Sequence, residues 1–164
     1  MDAFLVIASK RDERRYADRA IPEETVERIL DAGRLSGNSR NRQEWRFVTV
    51  QDAERRERLA EAVRAPANVR GAPLSVGIAG RPYDVGRCSQ NMMLAAWNEG
   101  VASCPNGIRD PAAAAEVLGL EEGELAIVLT FGYPARPRDP ESRTAEEWSA
   151  RANRKPLSEL ATRL

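Results

Sequence analysis

The run ELAIVLTFGYP, residues 124–134, most constrains the fold. It is the longest hydrophobic strand pattern in the chain, and with no strict alternation of apolar and polar residues it belongs in the middle of a sheet. Two shorter β-type runs, RFVTV (46–50) and PLSVGIAG (73–80), are bounded by Pro, Gly or charged residues and supply neighbours for it. Between them the text turns helical. IPEETVERILDAGRL carries Pro22, Glu23 and Glu24 as a start signal, with Val26, Ile29, Leu30 and Gly33 at i, i+3, i+4 and i+7. That spacing predicts a one-sided helix over residues 23–35.

DAERRERLAEAVR (52–64) reads as a second helix with an acidic start, and DAFLVIAS (2–9) as a short one capped by Asp2. YDVGRCSQNMMLAAWNEGV is apolar on several sides, so it reads as a central helix capped by Asp84 and ended by Gly100. DPAAAAEVLGL follows, with Asp110 as cap and Pro111 in the first turn. CPNG (104–107) reads as a loop before it. Residues 135–164 are polar and aperiodic, with Trp148 as the anchor of an extended arm. The expected class is α+β in a single domain, residues 1–164: a central mixed sheet wrapped by helices.

Composition narrows the function classes. The chain has 25 basic and 25 acidic residues and a formal charge of zero, so no global field draws it to nucleic acid or to an anionic membrane. It contains no histidine, which removes Ser-His-Asp and Cys-His triads and argues against a metal site. Any chemistry is then borrowed from a cofactor or carried by carboxylates. Cys88 and Cys104 lack CxxC spacing and sit in apolar-leaning contexts, as buried free thiols in a reducing cytoplasm do. No run approaches the length of a membrane span.

Three charged or polar clusters remain. KRDERRY (10–16) and NRKP (153–156) are basic, and guanidinium forks from both would suit a dianion if the fold brought Lys10, Arg11, Arg14 and Arg154 together; a solvated face is the alternative. SGNSRNRQEW (36–45) is rich in amides that can equally satisfy a turn. Gly107 permits close backbone approach to a ligand.

In order, KRDERRY, IPEETVERILDAGRL, SGNSRNRQEWRFVTV, YDVGRCSQNMMLAAWNEGVASCPNG, LGL, FGYP and NRKPL resemble the FMN-dependent nitroreductase family from near residue 3 to the C-terminus. The resemblance implies an intertwined homodimer with an FMN in each interface and a C-terminal arm extended across the partner. It implies that Lys10, Arg11, Asp12 and Arg14 meet the flavin phosphate together with Arg154. Asn38, Ser39 and Asn41 would come from the other protomer as a wall of the pocket, and Pro105, Asn106 and Gly107 would run by the isoalloxazine ring with a backbone N–H toward N5. Arg70 or Arg40 is the expected cation at the pyrimidine edge.

No side chain is then catalytic in its own right, because the flavin carries the chemistry. NAD(P)H would donate hydride and a nitro compound, quinone or similar small acceptor would receive it in a ping-pong scheme. A family member that binds flavin without turnover is the alternative. Asp12 stands where the family has a serine. An anion about 4 Å from a dianion costs roughly 4 kcal/mol per charge pair at an effective dielectric near 20. Its expected contribution is therefore a backbone N–H, or a carboxylate turned to an arginine.

Overall fold

A computed structural model describes residues 1–162 as two compact units, one built from Met1–Lys10 with the chain from Asp139 onward, the other from Arg11–Arg138. In chain order the elements are α1 (Ala3–Ser9), α2 (Glu23–Arg34), β1 (Trp45–Val50), α3 (Ala53–Ala62), α4 (Pro66–Arg70), β2 (Leu74–Gly80), α5 (Pro82–Asn98), β3 (Ala102–Asn106), α6 (Pro111–Leu118), β4 (Leu125–Gly132), α7 (Ala145–Arg151) and α8 (Leu157–Leu160).

The Arg11–Arg138 unit holds a four-stranded sheet in the order β1-β2-β4-β3, every neighbouring pair antiparallel. The expected interior place of the LAIVLTFG run is met: β4 lies between β2 and β3. Among the described residues a parallel component enters only as a single bridge between Asp12 and Ser103 at the β3 edge. Side-chain alternation sorts the strands onto two cores. Leu74, Val76, Ile78, Leu129 and Phe131 pack with Val26 and Ile29 of α2 and Val85, Met92 and Ala96 of α5. Val50, Ala79 and Val128 pack on the opposite face with Leu59 of α3, Val69 of α4 and Leu118 of α6.

Leu125 joins that second face because a register shift between Ile78 and Ala79 turns the strand by one residue. The fold is thus α+β, with helices on both sides of the sheet.

Three expectations are corrected. The helix expected to start at Asp84 starts at Pro82, whose fixed φ suits the first turn, and Asp84 lies inside that turn near the positive end of the helix. CPNG is not a loop: Ala102–Asn106 forms β3, and the strand tolerates Pro105 because it is an edge strand, where a missing N–H need not break a ladder bond. The C-terminal segment is not aperiodic. Thr144 and Glu147 form a reciprocal capping box that starts α7. Trp148, the expected anchor, donates its Nε1–H to the Pro140 carbonyl at 2.7 Å, and the Arg143 guanidinium lies 4.9 Å from its ring centroid. Asp2 and Asp110 cap α1 and α6 as expected.

Candidate functional site

The charged segment after α1 is fixed to the sheet through its backbone. Glu13 N–H donates to Ser103 O at 3.1 Å, Ala17 N–H to Tyr133 O at 2.8 Å, and Ala135 N–H to Arg15 O at 3.0 Å. Tyr16 bridges Pro134 as Asp12 bridges Ser103. The segment therefore crosses the end of the sheet where β3 begins and β4 finishes, since Ala102 pairs with Gly132.

Tyr16 locks this crossing. Its hydroxyl lies 2.8 Å from Glu13 O and 2.9 Å from Thr130 Oγ1. Thr130 Oγ1 donates to Cys104 O at 3.1 Å, Asn106 Nδ2 reaches Thr130 Oγ1 at 3.2 Å and Cys104 O at 3.0 Å, and Asn68 Nδ2 of α4 donates to Asn106 Oδ1 at 2.9 Å. A buried polar chain thus connects the cationic segment, β4, the Pro105–Gly107 step and α4. Burial pushes the Tyr16 phenol well above its ordinary range, with the Thr130 hydrogen bond pulling the other way. The family resemblance matches Tyr16 to the aromatic that closes the KRDERRY block, but sequence reasoning named neither Thr130 nor Asn68 as part of a site; the signal available was a threonine inside an otherwise apolar strand, which has to find a partner.

At the far end of β3, Gly107 O accepts from Arg64 N–H at 2.8 Å and Arg64 Nε donates to Ile108 O at 3.3 Å. A β-carbon at Gly107 would lie 3.1 Å from Arg64 Cδ, so glycine leaves room for that side chain against the backbone. Asn106 is 2% exposed with its side-chain amide committed internally, so that amide is not offered to a ligand. Arg70, expected near the flavin edge, is held by Glu57 at 2.6 Å and by Glu61, and its hydrogen bonds hold the Glu57 carboxyl below the usual carboxylate range. Arg64 is a cation beside Gly107.

Asp12, Glu13, Arg14, Arg15, Ala135, Arg136 and Arg138 line one cavity of about 470 Å³. Arg14 and Asp12 are thereby brought together, with Arg138 paired to Glu13. Lys10, which ends α1, and Arg154, which follows α7, belong to the unit made from the two chain ends, whereas Arg11, Asp12 and Arg14 belong to the sheet-bearing unit.

Ser39–Asn41 forms an exposed 3-10 turn, and Arg40, Asn41 and Gln43 adopt φ values of 55°, 52° and 55°. Non-glycine residues in that region store on the order of 1–3 kcal/mol each when held there by their surroundings. Asn38 Oδ1 accepts from Gln43 N–H at 2.9 Å, and Asn91 Nδ2 of α5 donates to Ser36 Oγ at 2.8 Å, so the turn is tied to itself and its base to the helix. Cys88 and Cys104 are buried and form no disulfide. No helix among the described residues is long and apolar enough to cross a membrane.

The donor set fits a flavin mononucleotide. Guanidinium groups at one end suit a phosphate, a glycine step beside Arg64 suits a flat ring brought against backbone, and β3 links the two. Residues 103–107 of the strand and its end span roughly 13 Å at 3.3 Å per residue, which is commensurate with a ribityl phosphate tail.

Comparison with known proteins agrees. Residues 7–83 and 75–133 match the profile of the Nitroreductase family. A protein of Archaeoglobus fulgidus provisionally named NADH dehydrogenase/NAD(P)H nitroreductase is 31% identical over 154 residues, covering 84% of this chain and 88% of its own. A nitroreductase family protein of Clostridium difficile superposes with a TM-score of 0.82 at 27% identity, covering 99% of this chain and 98% of its own. A provisional nitroreductase of Desulfovibrio desulfuricans, crystallised in complex with FMN, superposes with a TM-score of 0.82 at 25% identity over 100% of this chain and 98% of its own. The match spans most of the sheet-bearing unit, including residues 12–15 of the cavity lining, and the chain belongs to the nitroreductase family.

Proposed function

We propose that this protein is an FMN-dependent oxidoreductase that works as a homodimer, each chain a single flavin-binding domain. The observation that carries the reading is the attachment of the cationic segment to β3: Asp12 bridges Ser103, four residues before Gly107, so phosphate-binding and ring-binding groups are set at opposite ends of one short strand. FMN, when bound, supplies hydride acceptance from NAD(P)H and its delivery to a nitro compound, quinone or other small acceptor in a second half-reaction, a ping-pong scheme.

The residues bind and orient. Arg11 and Arg14, with Lys10 and Arg154, hold the phosphate, and the Asp12 backbone N–H is its contribution there. Pro105, Asn106 and Gly107 carry a backbone donor toward the ring. Arg64 sets a positive charge beside Gly107, where it favours a reduced, anionic ring. Asn38, Ser39 and Asn41 of a second copy cover the ring, and the exposed Phe4, Ile7, Leu157 and Leu160 support burial against such a copy.

The test is steady-state kinetics with NADH or NADPH against a quinone, together with an Arg154→Ala variant. Parallel double-reciprocal lines and a variant that loses FMN at least tenfold more readily are expected. Intersecting lines would overturn the ping-pong scheme, and undiminished flavin in Arg154→Ala would remove that arginine from the phosphate site.

A further inference from the structure

The cavity between residues 12–15 and 135–138 contains more cations than the nitroreductase resemblance assigns. Arg14, Arg15, Arg136 and Arg138 bring four positive charges and Asp12 and Glu13 two negative ones, a formal balance of +2. A phosphate monoester carries about −1.5 to −2 at neutral pH, so the two match. The second half of the lining comes from the chain leaving β4, held to the first half by the Ala135 N–H to Arg15 O bond at 3.0 Å and by the Arg138–Glu13 ion pair. The Glu13 side chain is 17% exposed, so its charge is partly withdrawn from water and needs this partner. Pro137 stiffens the backbone between the two arginines, which lowers the cost of holding them in place.

We propose that Arg136 and Arg138 complete a phosphate-monoester site with Arg14 and Arg15, offsetting the acidic pair Asp12 and Glu13 that stands within it. Without Arg136 and Arg138 the same lining sums to a formal charge of zero, which leaves the dianion uncompensated there. Two molecules in the proposed reaction bear such a group: FMN at its ribityl end and NADPH at its adenosine 2′-position. In the first case the inference rests on the flavin reading above; in the second it fixes the donor as NADPH.

The experiment compares the full-length wild type with the Arg136→Ala/Arg138→Ala double variant at low salt. Flavin-free protein is titrated with FMN and with riboflavin, and the reloaded enzyme is assayed for KM with NADPH and with NADH. A fall of tenfold or more in the preference for FMN over riboflavin, with riboflavin affinity unchanged, supports the site and assigns it to the flavin phosphate. A tenfold or greater loss of preference for NADPH over NADH, with the flavin ratio unchanged, supports it and assigns it to the nicotinamide donor. Both ratios within twofold of wild type, in a variant with native circular dichroism, overturn the inference.

Should the double variant not fold, Glu13→Gln reads the same charge balance in the opposite direction: a tighter phosphate-bearing ligand supports the site and an unchanged one overturns it. If wild type binds neither flavin, the flavin reading fails separately. Adenosine 2′-phosphate then decides the cavity, through a tenfold weaker dissociation constant in the variant or no difference.

Discussion

Tyr16 lies over Gly132 so closely that a β-carbon at Gly132 would stand 2.7 Å from Tyr16 Cγ and 2.8 Å from Pro73 Cδ. The glycine at the end of β4 is therefore the seat on which the cationic segment is clamped. Gly132→Ala has to displace the ring, and with it the hydroxyl that meets Glu13 O and Thr130 Oγ1. We expect a loss of about 1–3 kcal/mol in urea unfolding, the usual cost of overpacking a filled site. An unchanged midpoint would mean that the clamp contributes no stability.

The same tyrosine makes stability depend on alkali. Burial raises its folded pKa, so above about pH 10 the unfolded phenol loses its proton while the native one keeps it. The unfolded chain then binds fewer protons, and stability falls as pH rises. Cys88, also raised by burial, acts in the same direction from about pH 8.5. Tyr16→Phe should lower stability near pH 8 by roughly 1 kcal/mol for its lost hydrogen bond and flatten the decline above pH 10. A variant with the wild-type slope there would contradict this assignment.

Arg64 touches the glycine step and not the cation-rich cavity. Arg64→Ala should therefore weaken FMN and riboflavin by similar factors and lower the flavin midpoint potential by about 30 mV, equivalent to ~1.4 kcal/mol for a two-electron couple. Arg70→Ala, whose side chain is engaged by Glu57 and Glu61, should leave the potential unchanged. The reverse pattern would restore Arg70 to the ring edge.

In the unit made from the chain ends, Thr144 accepts from Glu147 N–H at 3.3 Å while the Glu147 carboxylate accepts from Thr144 N–H at 2.8 Å. Thr144→Ala should destabilise α7 by about 1 kcal/mol, visible as roughly fivefold faster amide exchange within Ala145–Arg151. Unaltered exchange would show that packing alone holds the helix.

What was legible in the sequence follows from where the deciding interactions act. Asp2, Asp110 and Gly100 meet their own neighbours' backbone, so caps and stops could be read locally. The apolar run of β4 announced its interior place for the same reason. β3 could not be read this way, because Cys104, Pro105 and Asn106 are held extended by pairing with Leu129 and its neighbours and not by their own propensity. α4 was missed too: five residues are too few for a periodic signal, and it is Asn68 and Val69, buried against other elements, that make it a helix. The T-x-x-E signature of α7 was present in the sequence and outweighed by the polarity around it. In the site, motif residues announced themselves by charge. Arg64 and Thr130 did not, since their roles arise from contacts with Gly107, Tyr16 and Asn106 that only the fold creates.

The most direct measurement of the central claim is the visible absorption spectrum of the purified protein reloaded with flavin, recorded before and after anaerobic addition of NADH or NADPH. We predict about one FMN per chain, retained through gel filtration, and loss of the flavin band when the nicotinamide is added. A chain that elutes colourless after incubation with FMN, or a yellow one that neither nucleotide bleaches, would contradict the account.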